Sequence, residues 1–268
     1  MMRFLFVSTL PSGDRVPTHT TVFVTLTLIA LFQLVISLVT KHFFALGILV
    51  NEIIIIAGLP FLVARLLRTR SQLLFPFHAP SFRSIFFSLL FMLGVVIVID
   101  YLVFISEIFF PLPLSYREAL ERALETSSSV EVVWKFFLLC LVPGVCEEIF
   151  FRGFCQTTFQ FQLNKKIALF LTAFLFALLH GNLWYVHLYF LLGLALSWVF
   201  SITKTLWVPI CCHIFNNSWT FLHATWKTTL PLRSTMNVSD ILLFAFGMLL
   251  LIISTRILNS DKKKGVPI

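Results

Sequence analysis

Charge is scarce in this chain. Only 12% of its 268 residues are Asp, Glu, Lys or Arg, about half the share that a soluble domain carries. That excludes a water-soluble globular surface. The five cysteines (Cys140, Cys146, Cys155, Cys211 and Cys212) are odd in number, lie in apolar runs and form no CxxC pair. This excludes a disulfide framework or a cysteine zinc site and leaves them as small core residues. No HExxH occurs, so the helical ligand pair of many zinc proteases is missing. Neither an internal repeat nor a low-complexity tract is found, which disfavours a transporter built from inverted halves. The net charge is +8, yet no basic face or fold motif accompanies it, and nucleic acid is not expected as a partner.

What the chain has in excess is hydrocarbon. Hydrophobic residues make up 59%, the mean hydropathy is +0.96, and 32 residues are Phe. A helix needs ~20 apolar residues to cross a bilayer. Apolar runs at about 20–40, 43–64, 84–106, 131–161, 166–180, 184–203, 206–223 and 238–257 predict an all-α polytopic membrane bundle. About eight transmembrane helices are expected, read as one membrane domain over 1–268. The fourth run is too long for one crossing and the fifth too short. Ahead of them, Met1 to Leu10 is too short in its apolar part for a signal peptide, and Pro11-Ser12-Gly13 breaks it. The first long run is therefore expected to stay in the protein.

With eight spans both termini share one side. Arg3, Arg15, Arg65, Arg68, Arg70, Arg83, Lys165, Lys166, Lys204, Arg256, Lys262, Lys263 and Lys264 fall on it. Lys41, Arg117, Arg122, Lys135, Lys227 and Arg233 fall on the other. The bias predicts cytoplasmic termini, with 258–268 as a basic cytoplasmic tail. Residues 115–126 interrupt the apolar pattern and read as a solvated surface helix. Ser115-Tyr116-Arg117-Glu118 looks like a capping box, and Arg117/Glu121 and Glu118/Arg122 are i,i+4 pairs. Asn237-Val238-Ser239 matches a glycosylation acceptor, a short pattern that matters only in a eukaryotic secretory membrane.

Against this background Glu147, Glu148 and Arg152 stand out. An ionisable group at the bilayer centre costs at least ~2.5–3.5 kcal/mol. At ~100° per residue Arg152 shares a face with Glu148 and lies about 140° from Glu147. The pair Glu148/Arg152 neutralises itself, and Glu147 is left free. A lone carboxylate in an apolar setting suits a general base acting on water, or it hydrogen-bonds a neighbouring helix.

Partners at the same depth follow from counting. Asn164-Lys165-Lys166 is the natural turn between runs four and five. Glu147 precedes Asn164 by 17 residues and His180 follows it by 16, so an antiparallel hairpin brings them level, roughly 24 Å from the turn. His180 precedes Gly181-Asn182 and also fits a helix C-cap. A chain break at membrane depth is tolerated where it is buried or lines water. Phe176 shares the face of His180 and is placed to wall a site. His213 and Asn217 share a face of the seventh run, but Lys204 lies only nine residues before His213. Either this helix starts below the surface or the depth of Glu147 is overestimated. Glu52 and Asp100, mid-span without local partners, hold a helix in place or line the cavity. His187 reads as interfacial, and His19, His42, His78 and His223 sit at span ends.

Glu147-Glu148-x-x-x-Arg152-Gly153, Phe176-x-x-x-His180 and His213-x-x-x-Asn217, in this order and at these intervals, resemble the CPBP family. These are the CAAX-protease and bacteriocin-processing intramembrane proteins, including Rce1-type prenyl-protein endopeptidases. Pro143, Phe190-x-x-Gly193 and Leu206-Trp207-x-Pro209 fit as well. Ser197 departs, where many relatives prefer a second Gly. The resemblance covers 131–220, with 131–223 as the catalytic core, 1–130 as preceding spans and the site among spans four to seven. It implies a glutamate-dependent intramembrane endopeptidase. Glu147 with His180 would activate water, His213 and Asn217 would form an oxyanion hole, and Glu148 with Arg152 would be a structural pair. Loss of Glu148 or Arg152 would then mainly lower yield or stability. The implied substrate is a peptide or membrane protein, either a prenylated tail or a leader, cut near the cytoplasmic membrane face. No cofactor is expected. Zinc held by Glu147, His180 and His213 is the lesser alternative, and a non-catalytic immunity or partner-binding membrane protein is the alternative function.

Overall fold

The computed structural model describes residues 5–39, 43–226 and 237–263. Of the residues weighed above, Arg3, Lys41, His42, Lys227, Arg233 and Lys264 lie outside these. Two short strands, β1 (Val7–Thr9) and β2 (Arg15–Pro17), pair antiparallel with Val7 opposite Pro17. This ribbon was not expected. Gly13 takes a positive φ of 85° in the turn between them, a conformation that suits glycine. The rest is helical: α1 (His19–Val39), α2 (Phe44–Leu66), α3 (Ser71–Leu74), α4 (Phe82–Phe109), α5 (Leu114–Leu124), α6 (Ser129–Gln162), α7 (Lys165–Leu179), α8 (Val186–Thr203), α9 (Trp207–Trp226) and α10 (Val238–Lys263).

All eight apolar runs are helices, seven of them within three residues of the expected bounds; the eighth runs on to Lys263, so 258–263 of the expected tail is helical. Six of them (α1, α2, α4, α6, α8 and α10) are long and apolar enough to cross a membrane. The other two depart for separate reasons. The α7 helix has only 15 residues, and α9 mixes Asn216, Asn217 and Ser218 into its apolar sequence. The chain is a polytopic helical membrane protein. Leu31, Leu34 and Leu38 of α1 and Leu242 of α10 are more than half exposed. Apolar side chains left bare in this way are solvated by lipid tails. Buried Phe150, Phe151, Phe154, Phe159, Phe176, Leu196 and Val199 form the core where α6, α7 and α8 meet.

Helix starts follow side-chain caps. Ser81 accepts from the Ser84 amide, Ser128 from that of Glu131 and Asn164 from that of Lys166, each satisfying an orphan donor. The Ser115–Glu118 box does not form, because α5 starts at Leu114 behind Pro113, whose ring fixes a helix-compatible φ. Arg122 pairs with Glu118 at 3.6 Å. Arg117 bonds Glu107 of α4 at 2.6 Å instead of pairing with Glu121, tying the surface helix to the bundle.

Two helices are wound more widely than an α-helix. Val50–Gly58 of α2 is π-helical, as are Phe137–Leu141 and Ile149–Gln156 of α6. Thr157 Oγ1 donates to the Arg152 carbonyl five residues back, at 3.0 Å. Such segments often occur at functional sites; here one contains Glu52 and the other two stand before and after Glu147 and Glu148.

Contacts sort the bundle into two ends. At one end the His19 amide donates to Gln162 (3.2 Å), Lys165 to the Ser201 carbonyl (3.3 Å), Thr205 to the His78 carbonyl (2.7 Å) and Arg83 to Asp261 (2.7 Å). This end gathers the start of α1 and the finish of α10. At the other, Glu107 accepts from Arg117 and from the Tyr185 hydroxyl, and His187 bonds Ser106 at 2.7 Å.

Candidate active site

The site forms where α6, α7 and α9 meet. The antiparallel α6–α7 hairpin brings Glu147 level with His180, with Oε2 to Nε2 at 3.9 Å. His213 reaches the same carboxylate oxygen, Nε2 to Oε2 at 4.0 Å. The depth mismatch expected for His213 is resolved by how α9 begins. Thr205, Leu206 and Val208 are fully buried, and the Leu206 amide donates to the Pro76 carbonyl at 2.8 Å. The helix therefore starts inside the protein, against the 76–78 segment. The π-helical stretch adds to this, since wider turns gain less height per residue and shorten the path from Asn164 to Glu147.

Gly144 sets how closely α6 and α9 cross. A Cβ built there would lie 2.6 Å from Ile214 Cγ1 and 3.1 Å from its amide nitrogen. Gly144→Ala is expected to destabilise the fold by about 1–3 kcal/mol through overpacking and to move His213 away from Glu147. Adding Ile214→Ala should restore part of both, measured as melting midpoint and turnover in detergent.

Ring chemistry fixes the histidine protons. His180 Nδ1 lies 2.8 Å from the Phe176 carbonyl, which can only accept. Nδ1 therefore carries hydrogen, and Nε2 of the neutral ring presents a lone pair to Glu147. His213 Nδ1 lies 2.7 Å from Glu148 Oε1, so it too donates, and its Nε2 turns to Glu147. Distances of 3.9 and 4.0 Å are too long for direct hydrogen bonds and fit a bridging water. Glu147 and His180 keep partial exposure, with side chains 16% and 22% accessible, while Glu147 Oε2 itself is buried and without a hydrogen-bond partner among the described residues, which a water held between the rings would supply.

Glu148 and Arg152 are fully buried and bond at 2.5 Å, as their shared helix face requires. The same Glu148 oxygen also takes the His213 bond, so the carboxylate orients an imidazole as well as neutralising an arginine. Helix spacing alone reveals only its pairing with Arg152. Arg152 also donates to the Gly193 carbonyl at 3.2 Å and lies 4.8 Å above the Phe176 ring, a cation–π contact. Phe176 is fully buried, and its ring is 4.5 Å from that of His180 and 5.8 Å from that of His213. It walls both histidines. Beyond it, Gln156 donates to the Ser197 carbonyl and the Ser201 hydroxyl, both at 2.9 Å. Ser197, where the family pattern departs, is fully buried in this layer.

Asn217 lies one turn beyond His213 on α9, with its side-chain oxygen 3.2 Å from the Asn216 amide nitrogen. Asp100 holds α4 to α9 by accepting from Trp219 at 2.8 Å. Glu52 is buried on the π-helical part of α2, accepts from Asn51 at 3.0 Å, and is near enough to Glu147 for their charges to act on each other. The sequence flagged it as a mid-span charge but gave no means of pairing it with α6.

Tyr189 joins the site without any signal in the sequence. Its ring stacks on His180 with centroids 4.1 Å apart. In the sequence it is one aromatic among many. Tyr189→Phe is expected to keep near-normal turnover, whereas Tyr189→Ala should lower kcat about 10-fold by freeing the imidazole, since small misplacements of reacting groups are expensive.

The matching family model spans residues 129–219 and is described as type II CAAX prenyl endopeptidase, Rce1-like. Residues 129–219 are a Rce1-like domain. This domain runs from the first turn of α6 to Trp219, two residues past Asn217, and so holds every site residue described above except Glu52 and Asp100. The family is one of peptidases. No curated protein and no solved structure matches the chain.

Proposed function

We propose that the protein is an intramembrane endopeptidase that hydrolyses a peptide bond with water activated by Glu147 and His180. The observation that carries this is Glu147 Oε2 lying within 4.0 Å of both His180 Nε2 and His213 Nε2. One water bridges Glu147 Oε2 and the bare His180 Nε2, giving a hydrogen to each. Glu147 takes the proton as the water oxygen attacks the carbonyl. The proton then passes to the leaving amine. His213, its Nδ1 held by Glu148, turns Nε2 to the developing oxyanion and donates to it whenever the ring has taken up a second proton from solvent, a cation that Glu148 would help to balance. Asn217, from the same face of α9, supplies the second donor. Removing one such donor from an oxyanion hole lowers kcat about 10²–10³-fold, and Asn217→Ala is expected to do so with little change in KM.

The substrate on this reading is a peptide or membrane-protein segment, either a lipidated tail of the kind the family name describes or a leader peptide. The eight helices cross the membrane with both termini cytoplasmic, and the chain folds as one membrane unit. The mechanism uses no metal. Full turnover is therefore expected in excess chelator, and loss of activity restored by zinc alone would establish the Glu147/His180/His213 zinc alternative. Comparing peptides in membranes that carry wild type or Glu147→Ala tests the reading and identifies substrates. Identical peptide profiles, with wild type folded and present, would favour the non-catalytic alternative, an immunity or partner-binding protein.

A further inference from the structure

We infer that the site opens toward the end of the bundle opposite the chain's two termini, and that its substrate is a peptide reached from the non-cytoplasmic face. The second part rests on the peptidase reading above. The first part rests on helix lengths. His180 directly follows the 15-residue α7. Five residues later Tyr185 bonds Glu107, which also holds Arg117 of α5. His180 therefore sits just below the end marked by α5. The neighbouring helices continue well past it. From His213 on to the finish of α9 at Trp226, the helix rises roughly 20 Å further at 1.5 Å per residue, and α6 likewise runs from Glu147 back to Ser129, with less height per residue through its π-helical Phe137–Leu141. Two long helices standing around a short hairpin leave a depression that faces the α5 end.

The opposite approach is plugged. Between the site and the terminal end lie Phe151, Phe154, Arg152 and Gln156, all fully buried, with Gln156 bonded across to α8. A cavity of about 470 Å³ also lies at the α5 end, lined by Phe109, Phe110, Trp184 and His187 among others; it is separate from Glu147, His180 and His213, none of which lines it. Its apolar wall suits a hydrophobic stretch of a peptide substrate.

Charge then gives the direction. The end that gathers the termini carries Arg15, Arg65, Arg68, Arg70, Arg83, Lys165, Lys166, Lys204 and Arg256. The α5 end carries Arg117, Arg122 and Lys135 among the described residues. Lys and Arg in short loops mark the cytoplasmic side, so the terminal end faces the cytoplasm and the site faces away. On this inference, cytoplasmic termini put the cut at the non-cytoplasmic face, which leaves a leader or membrane-protein segment, rather than a cytoplasmic prenylated tail, as the substrate.

The orientation is tested by labelling in spheroplasts of cells expressing the full chain. Ser115→Cys on α5 and Ser12→Cys beside β2 are both at exposed positions and outside the machinery. A membrane-impermeant maleimide is expected to label Ser115→Cys in intact spheroplasts and Ser12→Cys only after permeabilisation, above the wild-type background. The reverse pattern overturns the proposal. A membrane-impermeant library of quenched fluorescent peptides, offered to sealed vesicles, tests substrate access. Right-side-out vesicles should hydrolyse it at close to the detergent-solubilised rate and inside-out vesicles only at background. Hydrolysis confined to inside-out vesicles overturns exoplasmic access. No hydrolysis in either, detergent included, overturns the peptide substrate while the labelling still decides which way the α5 end faces.

Discussion

Glu147→Ala abolishes peptide hydrolysis and leaves membrane insertion, yield and melting midpoint close to wild type. The expected loss in kcat/KM is at least about 10²–10⁴-fold, the usual contribution of a general base. Stability is spared because Glu147 is the one residue of the cluster that the fold does not use as a brace. Its Oε2 has no hydrogen-bond partner among the described residues, and its side chain is partly exposed. Removing it leaves no buried cation unpaired, since Arg152 keeps Glu148. Glu147→Gln should be nearly as inactive, because it keeps the shape and loses the basicity. Wild-type turnover by either purified variant would remove the mechanism.

Arg152→Met has the opposite profile. Glu148 then remains fully buried with its neutralising partner gone, a change that costs about 3–5 kcal/mol in comparable buried pairs. The melting midpoint and the yield of folded protein in detergent are both expected to fall sharply. Arg152→Lys should recover only part of this, because one ammonium cannot serve both Glu148 and the Gly193 carbonyl as the forked guanidinium does. Glu148→Gln separates the two roles of that carboxylate. Its amide keeps the volume but cannot balance a protonated His213, so kcat should fall beyond what the lost stability explains. If Glu148→Gln lowers only the midpoint and leaves kcat per folded molecule unchanged, the bond to His213 is merely structural.

The parts of the site that could be read from the chain are those governed by local periodicity or by counting from a turn. Arg152 meets Glu148 because four residues make about one helical turn, and Glu147 meets His180 because Asn164-Lys165 lies midway between them. What stayed hidden depends on how separate helices are packed. The buried start of α9 is set by hydrogen bonds to residues about 130 positions earlier, and nothing near Trp207 announces them. Tyr189 becomes significant only once α8 lies against α7. Arg117 looked toward Glu121 by helix spacing, but Glu107 offered a better-shielded partner across an interface. The β-ribbon escaped notice because three-residue strands carry too little alternation to register. The π-helical segments leave no mark in the sequence, because ~100° spacing holds only where a helix keeps α-geometry.

Those wide segments separate position along the chain from angle around the axis. In an α-helix every added residue turns the next side chain by a set amount, so one face runs straight. Through Ile149–Gln156 each residue turns less, and over eight residues the lag accumulates to a sizeable part of a revolution. The α6 helix thus has two headings. Its first half aims Glu147 and Glu148 at α7 and α9, and its second aims Gln156 at α8. The segment acts as a fixed phase offset between a reacting half and an anchoring half. Altering its winding by one residue would rotate one half against the other, leaving composition and hydropathy almost unchanged.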